Sequence, residues 1–219
     1  KSTYKDNNFL QKNYINTLLS LKNYDENAYK VFALGEWGAS EKIIYKNWSL
    51  VDKLPQNPNE IFYGLDFGFN NPTALVQVAV YDGKFYAHEI LYQSGLTNTA
   101  LTEKLQTLLK GQESKTIYAD AAEPNRIAEI AMAGLNIKPA QKNVLNGIMS
   151  VKSDNFFVTK SSTNLIKELQ TYSWKSDVNG NILEEPVKFN DHLLDALRYA
   201  IYTYKNELSQ STVADINFI

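Results

Sequence analysis

The spacing of hydrophobic and polar positions changes along the chain, and the change divides it into two predicted parts. In residues 1–35 the apolar side chains approximate helical spacing, with a polar interruption at residues 23–27. The stretch LPQNPNE at residues 54–60 then ends this pattern with two prolines. We therefore predict a connector at residues 1–58 and a main domain at residues 59–219.

The main domain opens with the pattern of an antiparallel meander. Residues 61–68, IFYGLDFG, are mostly apolar and predict a strand that ends near an aspartate. Residues 73–92 divide at Asp82-Gly83, a dipeptide favoured in two-residue hairpin turns. The sequence therefore predicts three consecutive antiparallel strands.

Helices and short strands alternate in the remainder of the chain. Helical spacing predicts helices at 97–109, 125–133, 144–152, 164–171 and about 191–205, and apolar runs predict strands at 115–120, 135–140 and 156–159. A second hairpin is predicted around Asn179-Gly180, flanked by residues 172–174 and 186–189. This order indicates a mixed α/β fold.

Composition restricts the chemistry to oxygen-rich sites. The chain has no cysteine and two histidines, which excludes disulfides, thiolate nucleophiles, cysteine zinc sites and histidine-rich zinc motifs. A bound metal would be a hard cation such as magnesium, manganese or calcium. The net charge of −2 argues mildly against DNA binding. No apolar run approaches the roughly 20 residues that span a bilayer, so no membrane association is expected.

Three aspartates are the candidate ligands of such a metal. Asp66 and Asp120 each end a predicted strand, and strand ends are where open sheets bind ligands. Asp195 lies inside the predicted last helix and shares a helix face with His192, three residues before it. Each also has a structural alternative: the strand-end acids could cap turns, and Asp195 could pair with Arg198. Taken together they favour a site for divalent cations, where two ions could cleave a phosphodiester.

Four segments, in order, resemble a known family. GLDFGFNNPTA, YADAAEP, IKPAQK and DHLLDALRYA are similar to the C-terminal nuclease domain of phage terminase large subunits, and FALGEWG at 32–38 resembles the linker after their ATPase domain. The resemblance implies a ribonuclease H-like mixed sheet flanked by helices and an endonuclease that cuts concatemeric viral double-stranded DNA during packaging. It places a metal-binding acidic triad on Asp66, Asp120 and Asp195, with His192 beside two Mg²⁺ or Mn²⁺ ions.

The resemblance also implies a larger assembly in the host cell cytoplasm. The partners would be an ATPase motor domain, the small terminase subunit, the portal and double-stranded DNA. The polar N-terminus without Met indicates an internal fragment, so residues 1–58 are expected to connect to that ATPase domain. No GxxxxGK[ST] loop occurs in the sequence, and no ATPase activity is assigned to it.

The DNA contacts and the activity itself have alternatives. Lys138, Lys142 and Lys175 could line a DNA path, although scattered surface lysines are equally common. The acidic site could instead be that of another ribonuclease H-like nuclease or of a resolvase. A third possibility is a non-catalytic docking module of the packaging machine, in which the aspartates form a structural network.

Overall fold

The computed structural model describes residues 3–24, 29–35, 42–177, 179 and 181–216. The chain forms two compact units, of which one contains Lys1–Lys46 and Ile166–Asp191 and the other contains Asn47–Leu165 and His192–Ile219. Trp37 and most of the GEWG segment lie outside the described residues, as does Gly180 of the second predicted hairpin.

Nine strands are found among the described residues. They are β1 (Trp48–Val51), β2 (Glu60–Asp66), β3 (Thr73–Tyr81), β4 (Lys84–Gln93), β5 (Ile117–Ala119), β6 (Ile137–Pro139), β7 (Phe156–Thr159), β8 (Trp174–Ser176) and β9 (Ile182–Pro186). The α-helices are α1 (Lys12–Tyr24), α2 (Asn98–Leu108), α3 (Pro124–Met132), α4 (Val144–Lys152), α5 (Thr163–Thr171) and α6 (His192–Ile216).

The larger unit contains a seven-stranded sheet in the order β1-β7-β4-β3-β2-β5-β6. Strand β3 is antiparallel to β2 and β4, while the other neighbouring pairs are parallel. Asp82 and Gly83 join β3 to β4 with φ angles of 51° and 67°. Positive φ at both turn positions is what a tight hairpin with the twist of its strands requires, so the predicted meander is confirmed.

Local sequence signals fix the helices around this sheet. The Thr97 side chain caps α2 by accepting from the backbone N–H of Ala100, and Asn143 caps α4 by accepting from that of Asn146. Pro124 opens α3, where its missing N–H costs nothing, and Gly134 follows this helix with a φ of 92°. The predicted helices at these places are confirmed.

A buried cluster joins the sheet to α2 and α3. Leu65 and Ile117 from the central strands lie in it with Leu101, Leu105 and Ile130 from the helices. Helix α6 packs on β2 and β3, so that β2 is buried from Phe62 through Asp66. Burial of an aspartate at the end of such a strand requires a partner for its charge.

Gly64 permits the close approach of α6 to β2. A Cβ at this position would lie 1.8 Å from the carbonyl oxygen of Ala196 and 3.1 Å from the Cβ of Ala200. The first of these contacts is shorter than real atoms allow, so the backbone of α6 can pack directly on the strand only because position 64 has no side chain.

The smaller unit has its own apolar cluster and a separate ribbon. Leu18, Leu21 and Ala33 are buried together, and the Phe32 and Phe189 rings meet edge to face at 5.3 Å between centroids. Strands β8 and β9 pair antiparallel and form the two-stranded sheet of this unit. The second predicted hairpin is therefore present, with its strands shifted towards the turn.

One strand and one helix end were not predicted from the sequence. The predicted connector 1–58 includes Trp48–Val51, which forms the edge strand β1 and pairs in parallel with β7. The last helix was predicted to end near Lys205 and continues to Ile216. None of the described helices combines the length and the apolar character that crossing a bilayer requires.

Candidate active site

Asp66 and Asp120 lie at the same edge of the sheet. Asp66 is the last residue of β2, and Asp120 directly follows β5, which pairs with β2 in parallel with Leu65 opposite Ala119. The Asp120 backbone N–H donates to the Leu65 carbonyl at 3.1 Å, which extends this register by one residue. The two aspartates therefore lie at the ends of adjacent strands.

His192 and Asp195 reach this edge from the first turn of α6. His192 Nδ1 lies 3.0 Å from Asp66 Oδ2, and both side chains are largely buried. The close packing of α6 on Gly64 places this helix turn beside the end of β2. His192 is thus the direct partner of the buried Asp66 carboxylate.

Arg198 holds the Asp195 carboxylate. Its Nε and Nη2 atoms both donate to Asp195 Oδ1, at 3.2 and 2.8 Å. Arg198 is only 2% exposed, and its stem passes Gly147 of α4, where a Cβ would lie 2.6 Å from Arg198 Cγ. The pairing that the sequence left open as a structural role for Asp195 is therefore present, and α4 makes room for it.

Lys142 faces Asp120 from the loop between β6 and α4. Its Nζ lies 2.7 Å from Asp120 Oδ1, which also accepts from the Ala122 backbone N–H at 3.0 Å. The Lys142 side chain is 47% exposed and the Asp120 side chain 19%. This ion pair is accordingly more open to solvent than the pair of Arg198 and Asp195.

The carboxylates influence one another electrostatically. Burial raises the pKa of Asp66 to about 6, the hydrogen bond from His192 opposes this rise, and the negative charges of Asp195 and Asp120 add to it. Burial also raises the pKa of Tyr199, with further contributions from Asp195, Asp66 and Asp120. These shared effects place the three carboxylates within one electrostatic environment.

The donor set of this environment fits a hard divalent cation. Carboxylate oxygens are what magnesium and manganese prefer, and repulsion between the acids is what bound cations would relieve. Over the described residues, however, no three His, Cys, Asp or Glu side chains are already arranged to hold a metal ion. His192, Lys142 and Arg198 each contact one oxygen of their partner acid, and the Lys142 contact is the most exposed of the three.

The lysines predicted to contact DNA lie in different surroundings. Lys138 on β6 pairs with Glu207 at 3.2 Å, and Lys142 pairs with Asp120. Lys175 on β8 pairs with Glu185 on β9, within the smaller unit. Each therefore has an acidic neighbour that DNA phosphates would have to replace, and DNA contact by these lysines stays a prediction.

Sequence reasoning did not identify the residues that support the site. The glycines Gly64 and Gly147 make room for α6 and for Arg198, and both belong to segments that pattern analysis treats as an ordinary strand and an ordinary helix. The loop after Asp66 is closed by Thr73, whose Oγ1 donates to the Gly68 carbonyl and accepts from its N–H. The two glycines inside a predicted strand and a predicted helix were the only feature of the sequence that could have indicated this close packing.

Known proteins are similar to this chain in sequence. A family model described as the terminase RNAseH like domain matches residues 66–203, and one described as phage terminase large subunit matches residues 1–36. The chain is 28% identical over 218 residues to the PBSX phage terminase large subunit of Bacillus subtilis (strain 168). That match covers 93% of this chain and 50% of the relative, so the chain spans about half the relative's length.

Solved structures agree with these matches. The large terminase of the thermophilic bacteriophage D6E, in complex with ATP-gamma-S, aligns with a TM-score of 0.64 and 26% identity over 92% of this chain and 54% of that one. The large terminase nuclease domain of bacteriophage SPP1, with bound Mn, aligns with a TM-score of 0.62 over 74% of this chain and 98% of that one. At 21% identity the second match supports the fold alone.

The matched region contains all three aspartates, since residues 66–203 begin at Asp66 and extend beyond Asp195. The seven-stranded mixed sheet with flanking helices agrees with the ribonuclease H-like fold of the matched nuclease domains, which confirms that prediction. The chain belongs to the family of ribonuclease H-like domains of phage terminase large subunits.

Proposed function

We propose that this chain is a divalent-metal-dependent endonuclease domain that cuts concatemeric viral double-stranded DNA during genome packaging. One observation supports the proposal above all others. Asp66 and Asp120 directly follow the paired residues Leu65 and Ala119 of β2 and β5, and Asp195 on α6 is close enough to act on the Asp66 charge. Residues this far apart in sequence meet there only through the tertiary fold. Family membership supports the same assignment.

Asp66, Asp120 and Asp195 would hold the metal, which is magnesium or manganese and is expected to be a pair of ions. Such cations activate a water molecule and stabilise the leaving oxygen of a phosphodiester. The SPP1 nuclease domain, a structural relative of this chain, has been crystallised with bound Mn. The oxygen-rich donor set and the repulsion that Asp195 and Asp120 exert on Asp66, which bound cations would relieve, support the same use here.

The other site residues would prepare these carboxylates. His192 stabilises the ionised form of Asp66, because its hydrogen bond opposes the effect of burial on that pKa. Arg198 fixes one oxygen of Asp195 with two donors, which limits rotation of the carboxylate. In this proposal His192 also acts at the catalytic centre, beside the metal ligands, while Arg198 acts only through Asp195.

The setting of this activity is proposed from the family. Residues 1–36 match a phage terminase large subunit model, and the curated relative is about twice as long as this chain. We propose that residues 1–58 connect to an ATPase motor domain, and that the small terminase subunit and the portal are partners in the host cell cytoplasm. Lys138, Lys142 and Lys175 are the proposed DNA contacts.

A docking module without catalysis is the competing function, and one observation favours it. Asp120 and Asp195 are both paired with basic side chains, as a purely structural network would be. Calorimetric titration of the 219-residue chain with Mn²⁺ separates the two. The enzyme requires binding that is lost in Asp66→Asn and retained in Asp52→Asn, a control at an exposed surface ion pair. Absence of binding to the unmodified chain would favour the docking module.

A further inference from the structure

The loop that carries Lys142 is anchored on both sides. The Ala140 N–H donates to the Ala119 carbonyl at 2.8 Å, and the Gln141 N–H donates to Thr203 Oγ1 at 2.9 Å. On the other side, Asn143 caps α4 with its side chain. The backbone at position 142 is therefore fixed relative to β5 and α6, at a place from which the lysine side chain reaches Asp120.

The contact itself is exchangeable. Lys142 Nζ and the Ala122 N–H share Asp120 Oδ1, and almost half of the lysine side chain is exposed. An ammonium group on a flexible stem binds a carboxylate as a point charge and has no fixed geometry to lose. Arg198 differs in each respect, because it is 2% exposed and directs two donors at Asp195.

We propose that Lys142 is a resident cation of the site, which occupies Asp120 in the metal-free protein and is displaced when a divalent cation binds that carboxylate. In the metal-free state its charge offsets part of the repulsion among Asp66, Asp120 and Asp195. On displacement the ammonium remains tethered beside the site, where it can meet a DNA phosphate. This inference rests on the proposed function, since it requires metal binding at Asp120.

The proposal predicts competition between lysine and metal. A half-exposed ion pair is weak, so removing it should strengthen Mn²⁺ binding by about two- to fivefold. Removing any nearby positive charge would also favour a cation through long-range effects, and a matched control must measure that contribution. Lys138 provides it, because it is 47% exposed like Lys142 and pairs with Glu207 instead of a site aspartate.

The experiment is a calorimetric Mn²⁺ titration of the 219-residue chain and its variants Lys142→Gln, Lys138→Gln, Lys142→Arg and Asp66→Asn. We expect Lys142→Gln to bind Mn²⁺ about two- to fivefold more tightly than Lys138→Gln. Lys142→Arg should bind no more tightly than the unmodified chain, because a guanidinium keeps the charge and can engage the carboxylate through two donors.

Thermal unfolding provides a second readout that does not depend on cleavage. In chelator, Lys142→Gln should unfold at a lower temperature than Lys138→Gln. Saturating Mn²⁺ should raise its unfolding temperature by more, because the metal does not have to displace the Lys142 ammonium. Equal Mn²⁺ affinity of Lys142→Gln and Lys138→Gln, or weaker binding by Lys142→Gln, would overturn the role of Lys142. If the unmodified chain shows no binding that depends on Asp66, the proposed metal site fails instead.

Discussion

His192 Nδ1 lies 3.0 Å from Asp66 Oδ2, and this contact joins the first turn of the last helix to the end of a central strand. Asp66 is buried, and its neighbours Asp195 and Asp120 make its ionisation still less favourable. The histidine is therefore the group that keeps the carboxylate available for a cation. The behaviour of Asp66 with pH follows from this balance.

The metal-free domain should lose stability as pH rises from about 4 to 6. The folded-state pKa of Asp66 is raised from 3.8 to about 6, so the folded protein binds more protons than the unfolded chain within that window. The penalty is absent below pH 4 and complete above pH 6, at about 2–3 kcal/mol. In urea unfolding in EDTA, the free energy of unfolding of Asp66→Asn should depend less on pH than that of the unmodified chain. At neutral pH it should be higher by roughly 1–2 kcal/mol. Parallel profiles for the two proteins would contradict the burial of an ionisable Asp66.

Replacing His192 should shift the pH dependence of metal binding. The His192 hydrogen bond lowers the pKa of Asp66, so His192→Ala should raise that pKa further and require a higher pH before Asp66 can bind Mn²⁺. We expect the pH midpoint of Mn²⁺ binding to rise, with a loss of cleavage that is smaller than in Asp66→Asn. An unchanged midpoint would show that His192 does not act on Asp66. His88→Ala offers a control on the other histidine, which contacts Thr159 on β7.

Adding one methyl group at position 64 should push α6 away from β2 and so disturb the site. In Gly64→Ala the new Cβ would meet the Ala196 carbonyl oxygen, which belongs to a helix backbone and cannot rotate away. We expect a loss of about 1–3 kcal/mol in the free energy of unfolding, together with weaker Mn²⁺ binding as α6 moves. Gly147→Ala is the comparison, because its Cβ would meet the side chain of Arg198 rather than backbone. Full stability and metal affinity in Gly64→Ala would refute the positioning of α6 by this glycine.

Removing the positive charge of Arg198 should destabilise the domain more than replacing its guanidinium with an ammonium group. Arg198→Met leaves Asp195 without its two donors in a largely buried place, which costs about 3–5 kcal/mol in comparable buried pairs. Arg198→Lys keeps the charge and loses the fork of donors, so it should be less destabilising. Urea unfolding with and without Mn²⁺ measures both, and Mn²⁺ should recover more stability in Arg198→Met than in the unmodified chain. Equal stability of the methionine and lysine variants would contradict an ionised pair.

The meander and the central helices could be predicted because their signals are local. The Asp82-Gly83 turn, the Thr97 and Asn143 caps and Pro124 each act within a few residues. Strand β1 could not be predicted in this way, because its four residues pair in parallel with β7 more than a hundred positions later. The end of α6 was also missed, since no proline or glycine follows Lys205 to stop the helix.

The candidate site was only partly predictable for a related reason. Strand-end aspartates and a helical aspartate are visible in the sequence, whereas the parallel pairing of β2 with β5, which makes Asp66 and Asp120 neighbours, is seen in the structure. The engagement of Asp120 by Lys142 and the room that Gly147 leaves for Arg198 depend on how separate elements pack. Contacts of that kind have no signature in residue spacing.

Cleavage of supercoiled plasmid DNA by the 219-residue chain in Mn²⁺ tests the central claim most directly. The account predicts conversion to nicked and linear DNA by the unmodified chain and by Asp52→Asn, whose substituted carboxylate is exposed and pairs with Lys160. Asp66→Asn, and the unmodified chain in excess EDTA, should leave the plasmid intact. Cleavage that persists in EDTA, or at an unchanged rate in Asp66→Asn, would contradict a metal-dependent nuclease centred on Asp66.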